Sequence, residues 1–207
     1  MKLTEAKLKQ LIKEVLNEGA KSITDLPDGV YVSVYKVPSE RKFVIKYTNR
    51  EQDNPKEEFG FTGMVAIGDP LFRHQDLPCS DAYAIAFSQA SQGWGPLLYD
   101  VAMEVATLTG GGLTPDRTIV SNEAYDVWDY YLKNRSDVQV SQLDNEDSEI
   151  TPDLEADDCS QGSTMNHVER NGGEWNDSPL SKIYIKEPAT LRALGDKLRV
   201  VGTSLTF

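Results

Sequence analysis

The stretch from Asp81 to Thr109 limits most narrowly how this chain can fold. It opens with the apolar run Ala82 to Phe87, passes through a loop with glycines at 93 and 95, and ends in a helix whose predicted first residue is Pro96. Proline favours that position because the N–H that it lacks would have no intrahelical partner there. The apolar face of the helix consists of Leu97, Leu98, Val101, Ala102, Val105 and Ala106, and glycines 110–112 end the pattern.

A strand that leads through a glycine loop into a helix brings free backbone N–H groups and the positive end of the helix dipole to one point. Such a point binds phosphate or carboxylate groups. The loop and first helical turn, residues 92–97, are therefore the predicted anion site. Because the run Ala82 to Phe87 is nearly all apolar, we expect a strand that is covered on both faces.

The remaining chain predicts an α+β fold. Residues 30–37 and 41–48 have the β-branched and aromatic content of two antiparallel strands, and residues 61–67 predict a third. Further predicted strands are 118–120, 138–140, 181–186 and 197–201. Ser121 is the expected N-cap of a second long helix, and Pro188 opens a short helix that reaches residue 194. The apolar face of the second long helix is formed by Ala124, Val127, Trp128, Tyr131 and Leu132.

Residues 1–19 predict a separate amphipathic helix, with apolar residues on one face and Gly19 as its end. Two roles are open for it: packing on the core, or docking onto a protein partner. Residues 20–207 are then expected to form a single domain, since the chain is long enough for one sizeable core.

The negative charge is concentrated in one segment. Between Arg135 and Arg170 there are ten carboxylates and no Lys or Arg, so this segment carries −10 of the net −12 and leaves −2 for the rest. Residues 142–179 are therefore predicted to be a polar, acidic loop insert with little regular structure. The insert either remains a solvated loop or lies over a cleft that favours a cationic substrate. No basic surface for nucleic acid is expected.

Cysteine and histidine are scarce. Cys79 and Cys159 are the two cysteines, which fits a reducing, cytoplasmic location, and with His74 and His167 as the two histidines no metal site is predicted. Cys79 is either an incidental thiol or a nucleophile with one of the histidines as its base. No apolar run is long enough to span a membrane.

The order of the elements, together with Ala90-Ser91-Gln92-Gly93-Trp94-Gly95, resembles the GNAT N-acetyltransferase superfamily. In that family a Gln/Arg-x-x-Gly-x-Gly/Ala loop holds the pyrophosphate of acetyl-coenzyme A. Both glycines are present here, and Ala90 stands where the family has Gln or Arg. The resemblance covers about residues 28–141 and a returning strand. It implies a mixed, largely antiparallel sheet flanked by helices.

The resemblance also implies an activity, acyl transfer from acetyl-CoA or another acyl-CoA to the amine of a small molecule or protein. A splayed central strand would pair with the pantetheine arm near Ala84 and Ile85, and amides of residues 92–95 would hold the pyrophosphate. The implied donor site comprises Ala84, Ile85, Phe87, Gln92, Gly93, Trp94, Gly95, Pro96 and Leu97.

A second family motif, Asn-x-x-Ala-x-x-x-Tyr, carries the tyrosine that protonates the departing thiolate. Residues 121–128 read SNEAYDVW, so Ala124 matches and Trp128 falls on the tyrosine. An indole N–H is not a usable acid, and Tyr125 and Tyr131, each three residues from Trp128, are the candidate substitutes. Asp69 or Asp81 are candidate bases.

The run GWGPLLYD, followed by GGLTPDR, is also similar to acetyltransferase-like proteins of tailed bacteriophages. That similarity implies a protein of the infected host cytoplasm or of the virion. It leaves open a second function: a GNAT-type fold that binds a ligand or belongs to the virion without catalysing acyl transfer.

Overall fold

The computed structural model describes residues 19–49, 59–69, 81–117, 119–143, 170 and 172–207. Its centre is an eight-stranded sheet. The strands are β1 (Tyr31–Lys36), β2 (Lys42–Thr48), β3 (Gly63–Gly68), β4 (Tyr83–Ala90), β5 (Leu113–Thr114), β6 (Val138–Gln142), β7 (Lys182–Lys186) and β8 (Leu198–Val201). Their spatial order is β6-β7-β5-β4-β3-β2-β1-β8.

The sheet is mixed, as predicted. Strands β1 to β4 are antiparallel neighbours, β5 is parallel to β4, and β8 returns to lie parallel to β1 at the sheet edge. The first three predicted strands lie within two residues of their observed bounds, because their β-branched and aromatic side chains alternate into a buried core. The α+β class and the sheet flanked by helices are confirmed.

Three helices flank this sheet within the described residues: α1 (Gly95–Thr109), α2 (Asn122–Asn134) and α3 (Ala189–Leu194). Helix α1 begins one residue before the predicted Pro96. Ser121 caps α2 as predicted, since its hydroxyl accepts the N–H of Ala124 at 3.2 Å. None of the helices in the described ranges has the length and apolarity needed to cross a bilayer.

The junction between β4 and β5 differs from the prediction. Only Tyr83 and Ala84 of β4 pair with β5, through Leu113 and Thr114, and the following Pro115 has no N–H with which to extend the ladder. The strand expected at 118–120 is therefore wrong: β5 lies before the proline, and residues 119 and 120 are in a loop.

Strand β4 continues to Ala90 alongside β3 and so parts from β5 after the two shared pairs. Its first three residues are buried, whereas Ala86 to Ala90 are exposed, and Phe87 is 44% exposed. The expectation of a strand covered on both faces is thus wrong beyond Ile85, where β4 has β3 as its one described neighbour and its side chains are exposed. A β-bulge also falls here, since Ala66 pairs with Phe87 and Ile67 with Ile85, which leaves Ala86 unopposed.

The ends of the predicted acidic insert belong to the folded body. Gln142 pairs with Lys182 in the sheet, and Pro179 is buried in a 3₁₀ turn, so residues 142 and 179 are not loop. Residues 144–169 and 171 lie outside the described residues. The same holds for the predicted helix before Gly19 and for Cys79, Cys159, His74 and His167.

Candidate functional site

A cavity of about 1000 Å³ lies between the first turns of α1, one face of α2, helix α3 and the segment 20–24. Its volume is at the upper end of the range of small-molecule sites. The residues of α1 in its wall are Gly95, Pro96, Leu97, Tyr99 and Asp100, and those of α2 are Glu123, Asp126, Val127, Tyr130 and Tyr131. Arg135, which follows α2, and Thr190 and Ala193 of α3 complete this part of the wall.

The N-terminus of α1 opens on this cavity. Gly95, Pro96 and Leu97, three of the predicted donor-site residues, are in its wall. The first N–H groups of a helix have no intrahelical acceptor, and the dipole places partial positive charge at the same end. This end of the cavity can therefore bind an anionic group.

The glycine loop itself is covered from outside by residues 19–24, which we call the strap. The N–H of Lys21 donates to the carbonyl of Gly93 at 2.8 Å. The backbone of Gly93 has φ of +81°, and a Cβ placed on it would overlap the carbonyl oxygen of Gly19. Neither Gln92 nor Gly93 belongs to the cavity wall, so the predicted donor site and the cavity coincide only from Gly95 onward.

Trp94 is part of the core. Its ring stacks on Phe61 at 3.9 Å between centroids, it meets Tyr47 edge-on, and it is 8% exposed. The hydroxyl of Tyr47 donates to the Trp94 carbonyl at 2.8 Å. These contacts give Trp94 a structural role that the Gly-x-Gly spacing did not predict.

The residues predicted to meet the pantetheine arm lie on β4. Ala84 and Ile85 are buried at the point where β4 leaves β5, and Phe87 is exposed beyond it. None of the three belongs to the cavity wall. One link joins the two regions, because Tyr99 is in the wall and its hydroxyl donates to the Ser88 hydroxyl of β4 at 3.0 Å.

Tyr131 is the predicted catalytic tyrosine that the structure places in the cavity. Its hydroxyl donates to Asp100 Oδ1 at 2.9 Å, and Arg135 forms an ion pair with Asp100 at 3.1 Å. Burial raises the pKa of the Tyr131 phenol well above its usual range, and the Asp100 carboxylate adds to the effect. Tyr131 therefore keeps its proton throughout the neutral range.

Arg135 connects the Tyr131–Asp100 pair to a second carboxylate. It also pairs with Asp137 at 2.7 Å, which lowers the pKa of the Asp137 carboxyl to about 2 despite partial burial. The hydrogen bond to Asp137 is the main cause of the raised pKa of Arg135. Both Asp100 and Arg135 are cavity residues that the sequence interpretation missed, since their pairing joins positions 35 residues apart.

The second predicted tyrosine does not belong to the cavity wall. Tyr125 is half-buried, and burial raises its pKa, with a contribution from Asp129. Trp128 packs between Tyr99 and Tyr184, with ring centroids 5.7 and 4.7 Å away, and is 1% exposed. Trp128, which the resemblance set at the position of a catalytic tyrosine, is thus part of the core.

The candidate bases lie near the start of β4. Arg41 pairs with Asp69 at 2.8 Å and with Asp81 at 2.6 Å, and its guanidinium stacks over Tyr83. Neither carboxylate belongs to the cavity wall. Asp100 is the carboxylate of the cavity that contacts a candidate catalytic side chain.

The geometry thus brings together a helix N-terminus, a protonated tyrosine and a carboxylate around a large cavity. Among the described residues, no group of three or more His, Cys, Asp or Glu side chains is arranged to hold a metal ion. No family model, curated protein or solved structure matches this chain.

Proposed function

We propose that the protein is an acyl-CoA-dependent N-acyltransferase of the GNAT type, with acetyl-CoA as the favoured donor. The observation that carries the proposal is the path of β4. It leaves its parallel neighbour after Ala84, continues to Ala90 with an edge that no described strand pairs, and leads into the helix whose N-terminus opens on the cavity.

This path suits a ligand that is extended at one end and anionic at the other. Along the edge of β4 that no described strand pairs, backbone groups can hydrogen-bond the amide groups of a pantetheine arm, as a strand would. The first N–H groups of α1 can hold phosphate oxygens. Tyr99 bridges the two regions through Ser88, which places them side by side.

In the proposed reaction an amine nitrogen attacks the thioester carbonyl carbon, the carbon–sulfur bond breaks, and an amide and a free thiol form. The nitrogen loses one proton and the thiolate gains one. The bulge at Ala86 interrupts the regular ladder between β3 and β4, and the proposed stabiliser of the oxyanion is a backbone N–H of β4 near this point.

The negative charges of the cavity wall partly repel the phosphates of an acyl-CoA donor. Among the described residues, the wall has three carboxylates, Asp100, Glu123 and Asp126, and two cations, Lys21 and Arg135. Asp100 is neutralised by Arg135, whereas Glu123 and Asp126 are exposed on α2. The phosphates are therefore expected at the α1 end, away from the α2 wall.

The direct test is titration calorimetry with acetyl-CoA, followed by a thiol-release assay with polyamines, amino sugars and lysine-containing peptides as acceptors. We expect a dissociation constant in the micromolar range and thiol release with at least one amine class. Absence of binding at millimolar acetyl-CoA would refute the proposal.

Tyr131→Phe is expected to lower kcat at least tenfold, because the variant lacks the proton that Tyr131 would deliver to the thiolate. Affinity for acetyl-CoA should change less than twofold, since the aromatic ring remains in the wall. Tyr125→Phe is the matched control and should leave kcat unchanged. Equal kcat in Tyr131→Phe and the parent protein would remove Tyr131 from the mechanism.

Two observations favour a second function, a GNAT-type fold that binds acyl-CoA, or acts in a virion, without catalysis. The hydroxyl of Tyr131 is already committed to Asp100, and Trp128 fills the position of the usual acid. Tight binding of acetyl-CoA with no thiol release to any amine would favour this alternative.

A further inference from the structure

The strap does more than cover the glycine loop, because it forms one wall of the cavity. Residues 20–24 all contact the cavity, and the backbone bond from Lys21 to Gly93 fixes the strap beside the start of α1. The Ser22 backbone N–H and hydroxyl both donate to Asp25, at 2.8 and 2.9 Å, which closes the strap into a 3₁₀ turn.

The strap also brings a cation. Of the two cations that the described residues contribute to the cavity wall, Arg135 is paired with Asp100 and Asp137. Lys21 is exposed, and no carboxylate in the described part of the chain lies within ion-pair distance of its ammonium. The neighbouring Asp25 carboxylate is hydrogen-bonded by Ser22, which lowers its pKa more than the charge of Lys21 does.

Lys21 lies where the glycine loop lacks a polar side chain. The Cγ atom of Lys21 is 3.5 Å from the position of a Cβ on Gly93, while Gly95 and Pro96 share the cavity wall with Lys21. Ala90, the loop residue at the position of a family Gln or Arg, presents only a methyl group beside Gly95, 3.7 Å from a Cβ placed there.

We propose that Lys21 binds the phosphate groups of the ligand, together with the first N–H groups of α1. Lysine suits this role, because its ammonium is a mobile point charge with three donors. The strap is then a part of the binding site, and its cation replaces the side chain that the loop lacks. The identity of the ligand as an acyl-CoA rests on the proposed function, whereas the anion site does not.

The test compares the parent protein, Lys21→Gln and Lys133→Gln by titration calorimetry with three probes: coenzyme A, pantetheine and inorganic pyrophosphate. Lys133 is a matched lysine that pairs with Asp129 on the outer surface of α2. We expect Lys21→Gln to weaken the binding of coenzyme A and pyrophosphate about tenfold. The affinity for pantetheine, which has no phosphate, should stay unchanged. Lys133→Gln should change none of the three affinities.

Each other outcome decides a separate point. An unchanged affinity of Lys21→Gln for coenzyme A, or an equal loss for pantetheine, would overturn the role of Lys21. Lysine-dependent pyrophosphate binding without coenzyme A binding would uphold the anion site and refute the proposed acyltransferase. If the parent protein binds neither coenzyme A nor pyrophosphate, both proposals fail.

Discussion

Replacing Glu104 by glutamine is expected to lower the free energy of unfolding by about 3 to 5 kcal/mol, since it breaks a buried ion pair. Glu104 lies in the middle of α1 with no exposed surface, and Lys186 of β7 pairs with it while 3% exposed. The carboxylate also accepts the N–H groups of Thr190 and Leu191 at 2.8 and 2.7 Å.

These two N–H groups belong to the first turn of α3, which has no side-chain cap of its own at Pro188. Glu104 therefore joins α1, β7 and α3 at once and holds the helix that contributes Thr190 and Ala193 to the cavity. Glutamine can accept one of the N–H groups, but it removes the buried counter-charge of Lys186, which then retains only the half-exposed Asp137 carboxylate at 3.7 Å.

Urea unfolding, monitored by circular dichroism, measures this decrease in the free energy of unfolding. Lys186→Met is the partner variant, and the double variant with Glu104→Gln should lose less stability than the sum of the two single losses, because no unpaired charge remains buried. A loss below about 1 kcal/mol for Glu104→Gln would show that the pair does not hold α1, β7 and α3 together.

Local chemistry allowed most elements to be predicted. Pro96 and the glycines at 110–112 bound α1 to within a residue, and the Ser121 cap defines the start of α2. Glu104 could not be predicted in the same way. It falls in a helix that is buried on nearly all sides, and its partner Lys186 is 82 residues away, beyond the reach of any periodic pattern.

The candidate site was also predictable only where it depends on local sequence. The start of α1 and Tyr131 follow from spacing along one segment, and both are in the cavity wall. The strap and the pairing of Asp100 with Arg135 depend on contacts between distant segments, and β5 is too short, at Leu113–Thr114, for alternation to be visible. Pro115 indicates in the sequence that the parallel pairing of β5 with β4 ends after Thr114, because proline has no N–H to donate.

Gly93→Ala is expected to displace the strap and to weaken acetyl-CoA binding tenfold or more. The positive φ of Gly93 is strained for alanine, and the added methyl would occupy the position of the Gly19 carbonyl. Hydrogen exchange should show faster exchange of residues 19–24. Gly93→Glu adds a negative charge at the same place, and we expect it to abolish binding.

Gly95→Ala is the control for the strap, because a Cβ there makes only an ordinary contact of 3.7 Å with Ala90. Exchange of residues 19–24 should be the same in this variant as in the parent protein. Unchanged exchange in Gly93→Ala would contradict the contact between Gly19 and Gly93.

The Gly93 and Lys21 variants together separate two roles for the glycine. If the role of Gly93 is to let the strap pack against the glycine loop, Gly93→Ala acts by moving Lys21 out of the cavity. Adding Lys21→Gln should then weaken the binding of acetyl-CoA no further. If Gly93 instead contacts the phosphates directly, the two losses should add. We expect the non-additive result, because Gly93 lies against Gly19 of the strap and outside the cavity wall.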